Sequence, residues 1–350
     1  MSDFHDLALS AVEKLTPNAV ALTFAVPDHL TETFAFTAGQ YITLKTQING
    51  LEVRRAYSIS SAPSSGKLTV GIKKVPTGTF SVYANDTLQV GDVLQVMPPD
   101  GRFTFTPEPK PKTVAAFAAG SGITPIMSIA QTVLESHGNS KFVLVFGNQS
   151  PQETMYHNEL LALQKQYPNQ FFVQWLYSRT AEPDCLFGRI ETSTVNLVTK
   201  NKFKELDFDA FYLCGPEQMI TTVSDTLKNN GVAEANIFFE LFTSSTADAS
   251  EIDAPSEGTT QVHVVVDDEE FSFTMDQKTL VLDAVLKEDI DAPYSCQGGV
   301  CSSCIARVTE GKAEMVKNQI LTDGEVAEGL ILTCQAHAVT PTLKIDYDDV

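Results

Sequence analysis

Between Val20 and Thr106 apolar and polar residues alternate in short runs broken by Gly and Pro: Val20–Val26, Phe34–Leu44, Ala56–Ser60, Lys67–Lys73 and Val93–Met97. Alternation places successive side chains on opposite faces of a strand. Several such runs with no long helix between them predict an antiparallel β-barrel. The rhythm changes after the bridge Pro107-Glu-Pro109-Lys-Pro111, where strands begin to alternate with helices. Strands are expected at Thr113–Ala119, Phe142–Phe146, Phe171–Tyr177 and Phe211–Cys214, with a last one in Ile237–Phe242. Between them lie a helix over Asn158–Gln166 and one opening at Thr124, whose Ile126, Ile129, Ala130, Val133 and Leu134 share a face. Thr124 is the expected N-cap and Pro125 the first helical residue. This succession predicts a parallel, doubly wound α/β sheet. Alternation returns at Val262, Val264 and Val266 and at Phe271–Phe273, followed by a helix from about Thr279. The expected divisions are therefore 1–107, 108–243, a linker poor in apolar residues over 244–259, and 260–350.

Charge narrows the partners. With 44 acidic against 24 basic residues the formal charge is −20, which argues against nucleic acid and anionic membrane as binding surfaces and favours a basic protein face. The start, Met1-Ser-Asp-Phe-His-Asp, is acidic where a secretory signal is basic, and no apolar run approaches the length of a membrane span. A cytoplasmic protein with reduced thiols is the expectation.

The thiols carry the sharpest chemistry. Cys296-Gln-Gly-Gly-Val-Cys301-Ser-Ser-Cys304 sets three at C-x4-C-x2-C, and Cys334 follows in Leu330-Ile-Leu-Thr-Cys-Gln. That is the plant-type [2Fe–2S] spacing. An anionic cluster needs backbone N–H donors wrapped closely around it, and Gly298 and Gly299 permit such a loop. Structural zinc remains an alternative, although its ligands usually come as paired C-x2-C arms; disulfides would need an oxidising compartment. Cys185 is read as ordinary packing, and the histidines at 5, 29, 137, 157, 263 and 337 show no ligand spacing.

From Thr260 to Val350 the chain resembles a plant-type ferredoxin, which implies a C-terminal α+β (β-grasp) domain whose cluster is held by Cys296, Cys301, Cys304 and Cys334. Upstream, Arg55-Ala-Tyr57-Ser58-Ile59-Ser60-Ser61, Gly71-Ile-Lys73, Gly78-Thr-Phe-Ser81, Gly120-Ser-Gly122-Ile-Thr124-Pro125 and Cys214-Gly215-Pro216 together resemble the ferredoxin–NADP reductase superfamily. The resemblance implies an FAD-binding barrel and an NAD(P)H-binding α/β domain. It implies a guanidinium, Arg55, for the flavin pyrophosphate, the Tyr57 ring over the isoalloxazine, and the Ser58 hydroxyl near its reactive nitrogen. Ile59, Ser60, Gly71 and Lys73 complete that stretch, and Gly78 and Ser81 offer N–H groups at a helix start. Gly120, Gly122, Thr124 and Pro125 form the nucleotide phosphate turn, and Cys214, Gly215 and Pro216 lie against the nicotinamide. Tyr57, Ser58 and Cys214 are the expected catalytic residues, and Phe242 ends the strand that approaches the flavin. Gly39-Gln-Tyr41 and Pro99-Asp-Gly101-Arg-Phe103 match as barrel structure. Ser178-Arg179, after the strand Phe171–Tyr177, implies a basic group for a 2′-phosphate and hence NADPH, although Gly147-Asn148-Gln149-Ser150 lacks the Arg common after Gly-Asn.

Hydride brings two electrons and the cluster takes one, so a flavin between them fits the order of the pieces. The whole chain resembles the reductase family that serves phenylacetyl-CoA epoxygenases and ketosteroid hydroxylases. That implies electron flow from NAD(P)H through FAD and [2Fe–2S] to a separate oxygenase, a diiron enzyme acting on an aryl-CoA thioester in phenylacetate catabolism. The alternatives are a Rieske-type or steroid hydroxylase as acceptor, or a passive electron carrier, against which the two nucleotide turns argue.

Overall fold

The computed structural model describes residues 4–242 and 258–350. The expected linker over 244–259 therefore lies, but for Gly258 and Thr259, outside the described residues. The described residues divide into two compact units, 5–53 with 57–242, and 258–350 with Phe4 and Arg54–Ala56.

The first unit begins with six antiparallel strands: β1 His5–Thr16, β2 Ala19–Ala25, β3 Tyr41–Ile48, β4 Leu51–Ser58, β5 Leu68–Lys73 and β6 Val93–Val96, ordered β4-β3-β6-β1-β2-β5. The edges at β4 and β5 meet through an antiparallel bridge between Ile59 and Val70, which closes the sheet into a barrel. Leu7, Leu22, Ile42, Leu44, Ile59 and Val70 are wholly buried inside it. A short helix, α1 Thr79–Asp86, follows β5. Two details differ from the sequence expectation. The run Phe34–Leu44 is not one strand, because Gly39 sits at φ 99° and pairing starts only at Tyr41. The first strand, β1, is not expected from the pattern because register shifts at Leu9/Ala11 and Lys14/Thr16 break its alternation.

The parallel sheet comprises β7 Thr113–Ala119, β8 Lys141–Asn148, β9 Phe171–Tyr177, β10 Leu186–Phe187, β11 Ala210–Gly215 and β12 Ile237–Leu241, in the order β10-β9-β8-β7-β11-β12. The central strand, Thr-Val-Ala-Ala-Phe-Ala-Ala, is apolar almost throughout, as a strand covered on both faces must be. Its helices are α2 Ile123–Ser136, α3 His157–Gln166, α4 Thr192–Asn196 and α5 Glu217–Asn229. The hydrophobic core of this sheet continues into Ala38, Phe103 and Phe105 at the barrel exit, and the Tyr212 hydroxyl donates to the Thr104 carbonyl at 2.9 Å. Barrel and sheet thus share one core, which is why they form a single unit across the Pro-rich bridge.

The second unit has a mixed sheet of β13 Thr259–Val266, β14 Glu269–Asp276, β15 Ile305–Glu310, β17 Leu330–Leu332 and β19 Thr342–Asp346, ordered β14-β13-β19-β15-β17. A smaller pair joins β16 Ala313–Met315 to β18 Ala336–Ala338, and the helices are α6 Val281–Lys287 and α7 Asp323–Ala327. Val281, Leu282 and Val285 of α6 pack with Val262, Val264, Leu343 and Ile345 of the sheet in one core. β13 and β19 pair in parallel while β14 and β15 run antiparallel to their neighbours, the β-grasp arrangement.

Candidate functional site: a nucleotide cleft and a thiol nest

In the first unit the strand order reverses around β7, since the chain goes from β7 to β8 on one side and reaches β11 on the other. Ligands of doubly wound sheets bind outside the strand ends at that point. Two turns meet there. A Cβ built on Gly122 would lie 2.1 Å from the Cys214 carbonyl oxygen, so the turn after β7 rests directly on the end of β11 and only glycine fits. Gly120, Gly122, Thr124, Cys214 and Gly215 are brought together as the sequence suggests. One detail is corrected: Thr124 is not an N-cap. A 3₁₀ turn over Gly120–Gly122 starts the helix early, α2 runs from Ile123, and the Thr124 hydroxyl donates to the Ser121 carbonyl at 3.0 Å. Pro125 falls within the first turn, where its missing N–H costs nothing.

The barrel supplies the other wall. The Ser58 Oγ donates to Oε2 of Glu240 on β12 at 3.1 Å, and Glu240 pairs in register with Cys214 on β11. Burial raises the Glu240 carboxyl from its ordinary 4.5 to about 8, against the lowering effect of the Ser58 hydrogen bond. Burial also pushes the Cys214 thiol well up, helped by the neighbouring Glu240 charge, so the thiol stays neutral. The Tyr57 ring stands 5.5 Å from that of Phe80, half-buried. Lys73 brings its ammonium to the phosphate turn, 3.7 Å from where a Cβ on Gly120 would lie.

Other expected residues are placed differently. Gly78 is the N-cap of α1, but the Ser81 hydroxyl is spent on the Val75 N–H at 3.1 Å. The Ile59 side chain is wholly buried in the barrel core. Arg55 is exposed, with Nη1 donating to the Arg54 carbonyl at 2.6 Å, and Pro216 and Phe242 are exposed as well. Ser178 and exposed Arg179 follow β9 and donate their backbone N–H groups to the Asn148 and Gln149 carbonyls, each at 3.0 Å. Sequence reasoning misses Glu240, although a lone acid in Ile-Phe-Phe-Glu-Leu-Phe is the signal that could have found it.

These residues fit a dinucleotide and a flavin. Both Nδ2 and Oδ1 of Asn148, at the end of β8, are buried with no hydrogen-bond partner, which a polar ligand at the sheet edge would supply. α1 has no side-chain cap, so its N-terminal N–H groups are left for an anion such as pyrophosphate, whereas the first N–H of α2, on Ile123, is already taken by the Gly120 and Ser121 carbonyls of the turn before it.

In the second unit the four thiols of the motif converge. They approach in pairs, and among the described residues no three of His, Cys, Asp and Glu stand close enough to hold one ion together. Cys301 donates to Cys296, whose pKa that bond lowers to about 6; Cys304 donates to Cys334, lowering it likewise. Two pairs suit a binuclear cluster, with two thiolates to each iron. Backbone N–H groups already point at the sulfurs: Gly298 reaches Cys296 Sγ at 3.3 Å, Cys296 reaches Cys301 Sγ at 3.5 Å, and Gly299 bonds Cys334. Gly299 holds φ 72° with Gln335 packed against it. Cys185 and Cys214 belong to the first unit.

Comparison with known proteins agrees with each part. Residues 6–105 match the oxidoreductase FAD-binding domain family, 117–225 the oxidoreductase NAD-binding domain family, and 264–339 the 2Fe-2S iron-sulfur cluster binding domain family. Together they define a flavin- and nicotinamide-dependent oxidoreductase with an iron–sulfur relay, whose cofactors are FAD, NAD(P)H and a [2Fe–2S] cluster. The chain belongs to the ferredoxin-reductase superfamily, in the group that ends in a 2Fe–2S domain. It is 35% identical over 353 residues to one of the components of the 1,2-phenylacetyl-CoA epoxidase of Escherichia coli (strain K12), covering 99% of each chain. It is 34% identical to the ferredoxin reductase component of the 3-ketosteroid-9-alpha-monooxygenase of Rhodococcus rhodochrous, covering 97% of this chain and 96% of that one. In fold it is similar to phthalate dioxygenase reductase, with a TM-score of 0.63, 22% identity and 98% of both chains covered. No helix among the described residues is long and apolar enough to cross a membrane.

Proposed function

We propose that this chain is the reductase component of a cytoplasmic multicomponent oxygenase, and that its partner is a diiron epoxygenase acting on an aryl-CoA thioester. The observation that carries this reading is the end-to-end similarity to a phenylacetyl-CoA epoxidase component, which aligns over the barrel, the parallel sheet and the thiol nest alike. The nearly as complete similarity to a ketosteroid monooxygenase reductase supports the second reading, a Rieske-type or steroid hydroxylase as acceptor. Bound flavin supplies the conversion of a hydride pair into single electrons, and the cluster supplies a one-electron relay.

The protein's own residues have separable tasks. The Gly120–Gly122 turn that leads into α2 and the Lys73 ammonium hold the nucleotide phosphates. The start of α1 holds the flavin pyrophosphate, and the half-buried Tyr57 ring covers the isoalloxazine. The neutral Cys214 thiol packs beside the nicotinamide without competing as a nucleophile. Glu240 keeps a proton at neutral pH while its Oε2 accepts from Ser58 Oγ, so a proton store lies beside the reacting ring. Cys296, Cys301, Cys304 and Cys334 ligate the irons. The charge of −20 speeds encounter with a basic face on the oxygenase.

The test is reconstitution. The purified chain, NADPH and a diiron aryl-CoA epoxygenase component should give epoxide, with partner reduction slowing steeply as salt rises. Turnover with a Rieske-type hydroxylase and none with the epoxygenase would reverse the choice, and salt-independent reduction would remove the electrostatic part.

A further inference from the structure

α2 is apolar on most of its surface, yet one stripe of it is polar, buried at Thr124 and Ser128 and half-buried at Gln131. Thr124, Ser128 and Gln131 recur at helical spacing, and Ser128 has no exposed surface at all. Buried polar groups must find partners. These find theirs in the strand end that follows the flavin motif: Ser128 Oγ donates to the Ser61 carbonyl at 2.7 Å, and Gln131 Nε2 donates to the Ser60 carbonyl at 3.2 Å. A third group arrives from another element. Tyr156, buried just before α3, donates its hydroxyl to Ser60 Oγ at 2.8 Å. Its backbone is left-handed, φ 58° and ψ 23°, a conformation that costs an aromatic residue about 1 kcal/mol or more and persists only where the surroundings impose it.

Gly71 shows how closely these parts meet. A Cβ there would stand 2.6 Å from the Tyr156 hydroxyl, 2.8 Å from Thr124 Cγ2 and 3.1 Å from Met155 Cε. The glycine in the flavin stretch is thus needed for contact with the nucleotide-binding sheet and not only for a ligand. Every one of these bonds lies within the first unit.

We propose that Tyr156, Ser128 and Gln131 form a latch that fixes the flavin strand to the nucleotide phosphate turn and so sets the approach of nicotinamide to flavin. Tyr156 is its central positioning residue and acts through Ser60. α2 carries the phosphate turn at its first residues and the latch one and two turns further on, so a displacement of either is transmitted to the other without an intervening loop. This rests on the residue roles under Proposed function, which put the flavin at Tyr57–Ser58 and the phosphates at Gly120–Thr124. Misplacing reacting groups by about 1 Å can cost up to about a hundredfold in rate while leaving binding intact.

The experiment uses the holoenzyme and anaerobic rapid mixing with NADPH. Tyr156→Phe removes one hydroxyl. We expect its limiting rate of flavin reduction to fall roughly tenfold, with nucleotide affinity changed by less than about twofold, flavin content unchanged and the nicotinamide–flavin charge-transfer absorbance weakened. Ser60→Ala removes the same bond from its other end, together with the bond of Ser60 Oγ to the Thr69 carbonyl, and the Tyr156→Phe/Ser60→Ala double variant should be no slower than Ser60→Ala alone. Ser128→Ala should slow reduction in the same sense, which keeps a readout if Tyr156→Phe fails to fold. Wild-type rates in all variants, additive losses in the double variant, or losses that merely track missing flavin would overturn the latch. A wild-type chain that purifies without flavin, or whose flavin NADPH does not reduce, would instead overturn the reading on which it rests.

Discussion

The two units solve the same problem, holding a redox group, in opposite ways. In the C-terminal unit the groups proposed to hold the cluster are side chains, and three of the four sit within one loop, Cys296 to Cys304. In the N-terminal unit the groups proposed to face the cofactors are mostly backbone turns and helix ends, drawn from the barrel, from the turn after β7 and from the ends of β11 and β12. Ser58 and Glu240 meet across 182 residues of chain. A thiolate nest is specified locally and fails all at once. A cleft assembled from distant segments fails by degrees, because each contact contributes to placement and no single one provides the bond.

The largest expected effect tests the local side of this contrast. Serine at Cys296, Cys301, Cys304 or Cys334 should each abolish the iron signal and the cluster absorbance, while Cys185→Ser and Cys214→Ser retain both. Loss of the cluster in the Cys185 variant would contradict the pairing of thiols in the second unit.

Next in size is the close approach of the two turns. Gly122→Ala would put a methyl 2.1 Å from the Cys214 carbonyl oxygen and 2.5 Å from its carbon, so the phosphate turn and β11 must separate. We expect a loss of about 2–4 kcal/mol in stability and a large loss of nucleotide affinity. Gly120→Ala meets no atom nearer than 3.7 Å and carries only the strain of φ 57°, about 1 kcal/mol. Denaturant midpoints for the pair separate the two; equal costs would mean that the turns do not touch.

Glu240 gives a smaller effect with a definite sign. Below pH 4.5 the carboxyl is protonated whether the chain is folded or not. Between 4.5 and about 8 the unfolded chain releases a proton that the folded one keeps, so this residue makes stability fall as pH rises through that window, and beyond it the contribution is flat. The full drop is roughly 3–5 kcal/mol. Glu240→Gln keeps a neutral partner for Ser58 and should remove the slope. A slope that survives the substitution would assign the buried proton elsewhere.

The same contrast explains what can be read from sequence. C-x4-C-x2-C is visible because the thiols are close in sequence as well as in space, and the pairing partner Cys334 is an isolated cysteine that nothing else explains. The two glycine turns are visible because glycine and proline mark backbone that no other residues fit. Glu240 is legible only as a lone acid in an apolar strand, because its role depends on Ser58, which no local pattern links to it. Thr124 misleads for a related reason: Thr-Pro is a good helix start, but Gly120 at φ 57° permits an earlier one. Ser128 and Gln131 read as ordinary helix residues until the Ser60–Ser61 carbonyls are placed against them.

The smallest expected effect concerns the edge of the cleft, where the cofactor meets solvent. Arg179 is exposed, and its backbone is held by the Gln149 carbonyl at 3.0 Å, so the side chain is anchored at its base and free to turn toward a ligand at the end of β9. An exposed guanidinium binding a phosphate contributes about as much as a charge-assisted hydrogen bond weakened by solvent, roughly 1–1.5 kcal/mol. Arg179→Ala should therefore raise KM for NADPH about tenfold and leave NADH unchanged, since NADH has no 2′-phosphate to lose. The preference should also narrow in the wild-type protein as salt screens the pair. The neighbouring Gly147–Ser150 stretch brings no second arginine, so most of the discrimination should go with this one side chain. Equal effects on the two nucleotides, or a preference indifferent to salt, would place the 2′-phosphate elsewhere on the sheet edge.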